Sequence, residues 1–548
     1  MKKNYLLALL SAFLLWLAWP PFSYTSPLLW VAFVPLLLAL ETIMRGDYRR
    51  KGAKVFLLSG LTTLLWNTAS IYWVFNAMNA VMPVYAAAFV SLIPFGLAAL
   101  LMAFAFRLYY QLRKRYAIGW SLAGLVSFWM AYEYLHQSWD LAFPWMTLGN
   151  GFAGTHQLVQ WYEYTGVYGG TMWIWTSNIL LFLLILSARD GFRPALRYKL
   201  LGGLILLLAA PAAWSLYRYS TYEEHLNPSD VVVVQPNVDP YGKFSFITPE
   251  MQIDNLIRLS DSVAQPNTEF FIWPETAIAR QGGFDEDRFY EHPAFLRIQQ
   301  FLQRYKNGNV LSGIEGYRIY NDQRTPTARE YDGLYYDAFN SAVLIENSAK
   351  LQFYHKSKLV AGAEQFPFAG ALGFLKPLFA GFGGTTGGYG SQDKPSVFYS
   401  QSGIGAAPVI CYESIWGNYV AAYVRDGAQF IAIITNDGWW GDTAGKDQHL
   451  AYAKLRAIET RRWVARSANT GISGFINQRG DVVQQTAWWV PTALKQDINL
   501  NEEITFYVSA GDYLAYAGMA GSAGFTLLLL LGLAKRKFRQ ETTDDRQQ

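Results

Sequence analysis

The chain contains a single cysteine, Cys411, at the end of the apolar run Pro408-Val409-Ile410 and before Tyr412-Glu413-Ser414. With one thiol no intramolecular disulfide can form. Cys411 is therefore either an inert buried thiol or a reactive one. An apolar strand that delivers a cysteine to a turn lets the backbone N–H groups after it face a developing oxyanion. That is the logic of a nucleophile elbow, although the G-x-S-x-G signature is absent. Such a thiol needs a base and a cation. Glu275, in Trp273-Pro274-Glu275, directly follows the apolar run Phe270-Phe271-Ile272. A carboxylate at a strand end among apolar neighbours can have its pKa raised, which suits a general base. Lys356 lies in Tyr354-His355-Lys356-Ser357-Lys358-Leu359-Val360, with Glu364 eight residues further on. A fixed ammonium beside a thiol stabilises the thiolate and then an oxyanion. Taken singly, a solvated loop glutamate and an exposed lysine are the plainer readings of these residues. Taken together, cysteine, base and cation describe nucleophilic acyl transfer through a thioester.

No motif speaks for a metal or a cofactor. The six histidines show no H-E-x-x-H spacing, and no G-x-x-x-x-G-K-[ST] occurs. Gly383-Gly384 and Gly387-Gly388 do not join a strand to a helix as a phosphate loop does. The net charge of +4 gives no reason to expect nucleic acid.

The elements that must position these residues fall into two kinds. Residues 217–512 read as α/β, with short β-branched or aromatic runs at Val231–Val234, Glu269–Trp273, Asn309–Ser312, Ser341–Ile345, Pro408–Cys411 and Phe430–Thr435. Helical stretches are expected at roughly 249–263, 293–305 and 447–463. The near-continuous apolar run Phe430–Ile434 suits a strand covered on both faces. Residues 370–391, rich in Gly with interspersed Phe and Leu, read as a mobile loop that dips into lipid or as a linker.

Outside that segment the chain is apolar. Crossing a bilayer takes about 20 apolar residues. Seven such runs precede residue 220, at roughly 5–22, 27–44, 55–75, 82–106, 119–136, 167–187 and 199–216, and an eighth follows at about 513–534. Trp19-Pro20-Pro21 offers no small-residue cleavage site, so the first run is expected to be a retained helix. Basic residues cluster in alternate connections: Lys2 and Lys3; Arg45 to Lys54; Arg107 to Arg115; Arg189 to Lys199; Lys535 to Arg539. The connections at 76–81 and 137–166 contain no Lys or Arg. By the positive-inside rule both termini are inside and residues 217–512 are outside. The 52% hydrophobic content, 20 Trp, 35 Tyr and 35 Phe suit membrane helices with aromatic belts beside one water-soluble domain.

The motifs W-P-E, Y-x-K-x-x-L-V and I-C-Y-E, with Thr435-Asn436-Asp437-Gly438-Trp439 and Arg466-Ser467-Ala468-Asn469-Thr470-Gly471, resemble the carbon–nitrogen hydrolase (nitrilase) superfamily. The flanking helices and the outer-loop Phe143-Pro144-Trp145 resemble its membrane-bound acyltransferase branch, over essentially the whole chain. That resemblance implies a bundle of eight transmembrane helices plus an extracytoplasmic nitrilase-like α-β-β-α sandwich. The division is 1–216, 217–512 and 513–548. It implies an acyltransferase of the inner membrane, monomeric and without cofactor. The acyl chain moves from a phospholipid to the N-terminal amine of a diacylglyceryl-cysteine lipoprotein. It also implies the triad Glu275 as base, Lys356 as thiolate and oxyanion stabiliser, and Cys411 as nucleophile. Glu364, Tyr412, Glu413, Asn436, Trp439 and Arg466 would support the site or bind substrate, with the Tyr412 backbone N–H serving the oxyanion. The sequence departs from the family's K-x-H-L-V-P-F-G-E-x-x-P: Lys358 stands for His, and Ala361-Gly362-Ala363 for Pro-Phe-Gly. This leaves the Lys-to-Glu spacing intact and puts the loop's shape in question. Two rival readings are a membrane-bound amidase with the same triad and a non-enzymatic transporter or scaffold. The scarcity of intramembrane charges and the lack of an internal repeat speak against the latter.

Overall fold

The computed structural model describes residues 1–80, 82–240, 248–368 and 388–544. Helices stand where the apolar runs fall: α1 Lys2–Leu17, α2 Val34–Arg45, α3 Lys51–Ser70, α4 Trp73–Asn79, α5 Val84–Arg113, α6 Ile118–Leu135, α7 Tyr162–Arg189 and α8 Pro194–Thr221. A last long helix spans Tyr513–Asp544. Among the described residues five segments are long and apolar enough to cross a membrane by themselves, and α3 with α4 makes a sixth. The expected run 55–75 is thus not one straight helix but a pair bent by 60°. The expected first run, 5–22, ends earlier, at Leu17. Pro20 and Pro21 lack the N–H groups that would continue it.

The segment between α8 and the last helix is a four-layer sandwich. One sheet has the order β14 (Thr492–Asn499), β1, β2, β4, β6, β5 (Arg329–Tyr331), with β3 (Phe284–Asp285) beside β4 and β7 beside β6; the other has the order β13 (Val482–Gln485), β12 (Gly474–Ile476), β11, β10, β9, β8 (Phe398–Tyr399). Its strands include β1 Pro228–Gln235, β2 Phe270–Ile272, β4 Asn309–Tyr320, β6 Leu334–Glu346 and β7 Leu351–His355. In the second sheet β9 is Gly405–Ile410, β10 Phe430–Thr435 and β11 Val464–Ala468. The period-2 alternation of a strand explains the layering. Val231 and Val233 face the second sheet, in one core with Phe430, Ala432 and Ile434. Val232 and Val234 face the other way, onto helices α9 Pro249–Asp261 and α10 Pro293–Leu302. The rings of Phe270 and Phe430 meet edge-on across the sheets at 5.0 Å. Helices α11 Gly417–Arg425 and α12 Ala444–Thr460 cover the outer face of the second sheet. β10 is buried along its whole length, as its unbroken apolar run requires.

The sandwich and the helices share a core. Tyr412, Ile415, Trp416, Tyr452, Leu455 and Ile458 pack in the same apolar cluster as Trp19, Trp66, Trp129 and Trp175. Gln448 of α12 is buried at the junction. It accepts from Trp73 Nε1 (3.1 Å) and Trp145 Nε1 (2.7 Å) and donates to the carbonyls of Pro20 (2.8 Å) and Ser70 (2.9 Å). Arg461 and Arg218 both pair with the buried Glu163 of α7. Of the expected loop at 370–391, residues 370–387 lie outside the described residues. Just after it, Tyr389 N–H donates to the Glu364 carbonyl at 2.9 Å.

Candidate active site

Three strand ends converge at one edge of the sandwich. Glu275 follows β2 and is buried. Its backbone lies so close to β4 that a Cβ at residue 313 would stand 2.6 Å from the Glu275 Cα, so that position must be Gly. Lys356 follows β7, and its backbone N–H is held by the Asn340 carbonyl at 2.9 Å. Cys411 follows β9 with φ +50°, a left-handed conformation costly for a residue with a Cβ. This is the turn that a nucleophile elbow demands.

The Lys356 ammonium is 1% exposed and donates to Glu275 Oε1 at 3.0 Å and Glu364 Oε1 at 2.8 Å. Burial alone would lower its pKa. The charges of Glu275 and Glu364, with a contribution from Cys411, override this and hold it well above the usual lysine value. Lys356 is therefore a permanent cation. Burial pushes the Cys411 thiol up, the Glu275 charge adds to that, and Lys356 only partly opposes them. The resting sulfur is a thiol, so attack requires a base within reach, and Glu275 is the carboxylate whose charge Cys411 feels most.

Two further residues build the frame. Asn340 of β6 donates through Nδ2 to Glu275 Oε1 (2.8 Å) and Glu364 Oε1 (2.9 Å), aligning both carboxylates on the lysine. Glu413 is fully buried and joins the Lys356 loop to the Cys411 turn. Its Oε2 accepts from Ile410 N–H (2.9 Å), and its Oε1 from Ser357 N–H (2.7 Å), Lys358 N–H (3.2 Å) and Tyr354 O–H (2.5 Å). Burial raises its pKa, while the Tyr354, Ile410 and Ser357 donors and the Lys356 charge act in the opposite direction.

The loop that departs from the pattern is held by its own hydrogen bonds. Glu364 Oε2 accepts from Val360 N–H at 2.8 Å, and Gly362, at φ +84°, closes the turn onto the Gln365 carbonyl at 2.8 Å. Lys358, which replaces the pattern's histidine, lies over the Tyr419 ring at 5.2 Å. Tyr412 sends its hydroxyl to the Ala142 carbonyl at 3.1 Å, and its ring stacks on Trp145. The cysteine turn is thereby docked on the loop after α6.

The remaining expected residues lie outside the Glu275–Lys356–Glu364 ion-pair unit. Asn436 is buried and bonded to Asn469 and Thr470. Trp439 is 41% exposed and lines a separate cavity of about 230 Å³ with Asn76, Trp440 and Trp489. Arg466 is fully buried, pairs with Asp437 at 2.6 Å and presents no face to a ligand. Asn340 was not anticipated. Its only sequence signal is a polar residue inside the apolar alternation of β6, and its partners lie 65 and 24 positions away.

A buried thiol on a strained turn, a permanent ammonium and a paired carboxylate form one unit at the strand ends of two stacked sheets. Residues 233–506 match the family described as carbon–nitrogen hydrolase. Fold and site thus define a membrane enzyme of the carbon–nitrogen hydrolase class with a cysteine nucleophile. Residues 11–180 match the apolipoprotein N-acyltransferase N-terminal domain. The chain is 30% identical to the apolipoprotein N-acyltransferase of Chlorobaculum tepidum over 98% of both chains. It is 30% identical to that of Geobacter metallireducens over 95% of this chain and 94% of the relative. A solved amidase from Nesterenkonia sp. aligns over 54% of this chain and 98% of its own, at 14% identity and a TM-score of 0.36. The chain belongs to the apolipoprotein N-acyltransferase family.

Proposed function

We propose that this enzyme transfers an acyl chain from a phospholipid to the N-terminal amine of diacylglyceryl-cysteine lipoproteins, through a thioester on Cys411. The observation that carries the reading is the Glu275–Lys356–Glu364 unit beside the left-handed Cys411 turn, on a sandwich whose core continues into a bundle of apolar helices. In the first half-reaction Glu275 takes the thiol proton and the sulfur attacks the ester carbonyl. The oxyanion is held by the Lys356 ammonium and the Tyr412 N–H. Collapse breaks the ester C–O bond, and the lysophospholipid alkoxide leaves with the proton from Glu275. In the second, Glu275 takes a proton from the attacking amine, the amide forms, and the released thiolate regains that proton. Glu364 and Asn340 orient the lysine and the base, and Glu413 fixes the lysine loop against the cysteine turn.

The division into 1–216, 217–512 and 513–548 belongs to the same reading, with all eight apolar helices spanning the inner membrane and the sandwich on its outer side. The alternating Lys/Arg connections support that sidedness. A reporter placed at 217–230 is exported and one after Gln548 stays inside; the reverse pattern refutes it. All the triad residues come from one chain, which supports a monomer as the working unit.

Transferase and hydrolase separate in one experiment. Enzyme incubated with phospholipid alone gains a fatty-acyl mass that neutral hydroxylamine removes and Cys411→Ala never acquires. A lipopeptide with a free N-terminal amine discharges it, and an N-acetylated one does not. Steady release of free fatty acid without acceptor would instead mark an amidase-like hydrolase, since a transferase must keep water from its thioester.

A further inference from the structure

Beneath the nucleophile lies a polar cluster that the chemistry above leaves unused. Ser414, His449, Asp437 and Arg466 are each at most 1% exposed. Ser414 Oγ donates to the Cys411 carbonyl at 2.8 Å and lies 2.8 Å from His449 Nε2. That same Nε2 is 3.2 Å from the Cys411 carbonyl oxygen. His449 Nδ1 is 2.9 Å from Asp437 Oδ1 and 3.0 Å from Arg466 Nη2, which also binds Asp437 Oδ2. The order Ser-His-Asp resembles a hydrolytic triad, yet the hydroxyl is sealed from solvent and spent on a backbone carbonyl. It is not a nucleophile. A carbonyl oxygen only accepts, so His449 Nε2 carries the hydrogen that faces Ser414 Oγ and Cys411 O.

The target of the cluster is a single peptide plane. The C=O of Cys411 and the N–H of Tyr412 belong to one planar trans unit and point in opposite directions. Holding the carbonyl down into the cluster turns the Tyr412 N–H away from it. Cys411, at φ +50°, sits in a strained left-handed turn, which persists only where its surroundings hold it. Asp437, with its pKa held down against burial by Arg466 and His449, stays ionised and keeps the imidazole in place. We propose that Ser414 and His449 are positioning residues. They lock the Cys411–Tyr412 peptide so that its N–H is preset as an oxyanion donor, and Asp437 and Arg466 fix His449. The inference rests on Cys411 being the acylated nucleophile.

The test compares two reactions of the same thiol in the full-length enzyme. Acylation by phospholipid, followed as fatty-acyl mass gain, passes through an oxyanion; alkylation by iodoacetamide displaces iodide and forms none. Ser414→Ala slows acylation roughly tenfold to a hundredfold, the scale of a misaimed oxyanion donor, while the alkylation rate stays at the wild-type value. His449→Gln, which keeps an N–H at similar reach, acylates faster than His449→Ala. Acylation of Ser414→Ala at the wild-type rate overturns the proposal, and so does a parallel fall in both reactions, which signals a generally disturbed site. A wild-type enzyme that alkylates but never gains acyl mass refutes instead the thioester on which the inference rests.

Discussion

Glu413→Gln tests whether the lysine loop and the cysteine turn are held as one body. Glu413 Oε1 accepts three hydrogen bonds from the lysine loop and Tyr354, and Oε2 accepts one from Ile410 N–H. A glutamine keeps its oxygen where three donors meet and so turns its NH2 toward Ile410 N–H, donor against donor. The loss is one hydrogen bond to a charged group, roughly 1.5–3 kcal/mol, and a buried N–H left unpaired, about 1–3 kcal/mol. Partial relaxation brings the sum to about 2–5 kcal/mol, borne by the residue that precedes the nucleophile. If half of it enters the acylation barrier, the rate of acyl-enzyme formation falls about 5- to 70-fold. The assay is the single-turnover rate of mass gain with phospholipid in excess. The Lys356 ion pairs are untouched, so the variant still forms the thioester. A Glu413→Gln enzyme that acylates at the wild-type rate would refute the claim that this carboxylate aligns the turn.

The triad acts as a unit, so Cys411→Ala, Glu275→Gln and Lys356→Ala each abolish most turnover, and Glu275→Gln adds almost nothing to Cys411→Ala; additive losses in the double variant speak against it. Lys454 of α12 is mostly buried, and burial lowers its pKa to about 8 against a weaker opposing pull from Asp481. The fold favours its neutral form, so the cost of charging it is full below about pH 8 and fades as pH rises from there toward 10.5. Lys454→Met therefore raises the thermal midpoint of the detergent-solubilised protein more at pH 7 than at pH 10. An equal rise at both values removes the electrostatic cause.

Local chemistry was legible in the chain. Apolar length marks a membrane helix, and two-residue alternation or an unbroken β-branched run marks a strand. Short strands ending in Glu275, Lys356 and Cys411 already describe a base, a cation and a nucleophile. Element limits were less legible. The β4 and β6 runs at Asn309–Ser312 and Ser341–Ile345 extend to Tyr320 and back to Leu334, because their outer halves pair with each other over polar and tyrosine-rich residues that carry no apolar signal.

Position, in contrast, came only from the tertiary structure. Arg466 read as a site residue because it is a charged side chain in a family motif; in the fold it is sealed under Asp437. Asn340 and His449 read as nothing at all, yet one aligns two carboxylates and the other reaches the carbonyl of the nucleophile. The bend between α3 and α4 and the buried Gln448 that fastens Trp73 to α12 were equally silent, their partners lying 375 positions apart. The physical reason is the range of the forces. Hydrophobic period and turn chemistry act between neighbours, so the sequence alone determined the two kinds of segment and singled out the candidate reacting groups. Hydrogen bonds of under 3 Å between distant residues exist only after the two sheets have stacked and the sandwich has settled on the bundle. Only that packing decided which polar groups frame the chemistry and which merely hold the frame.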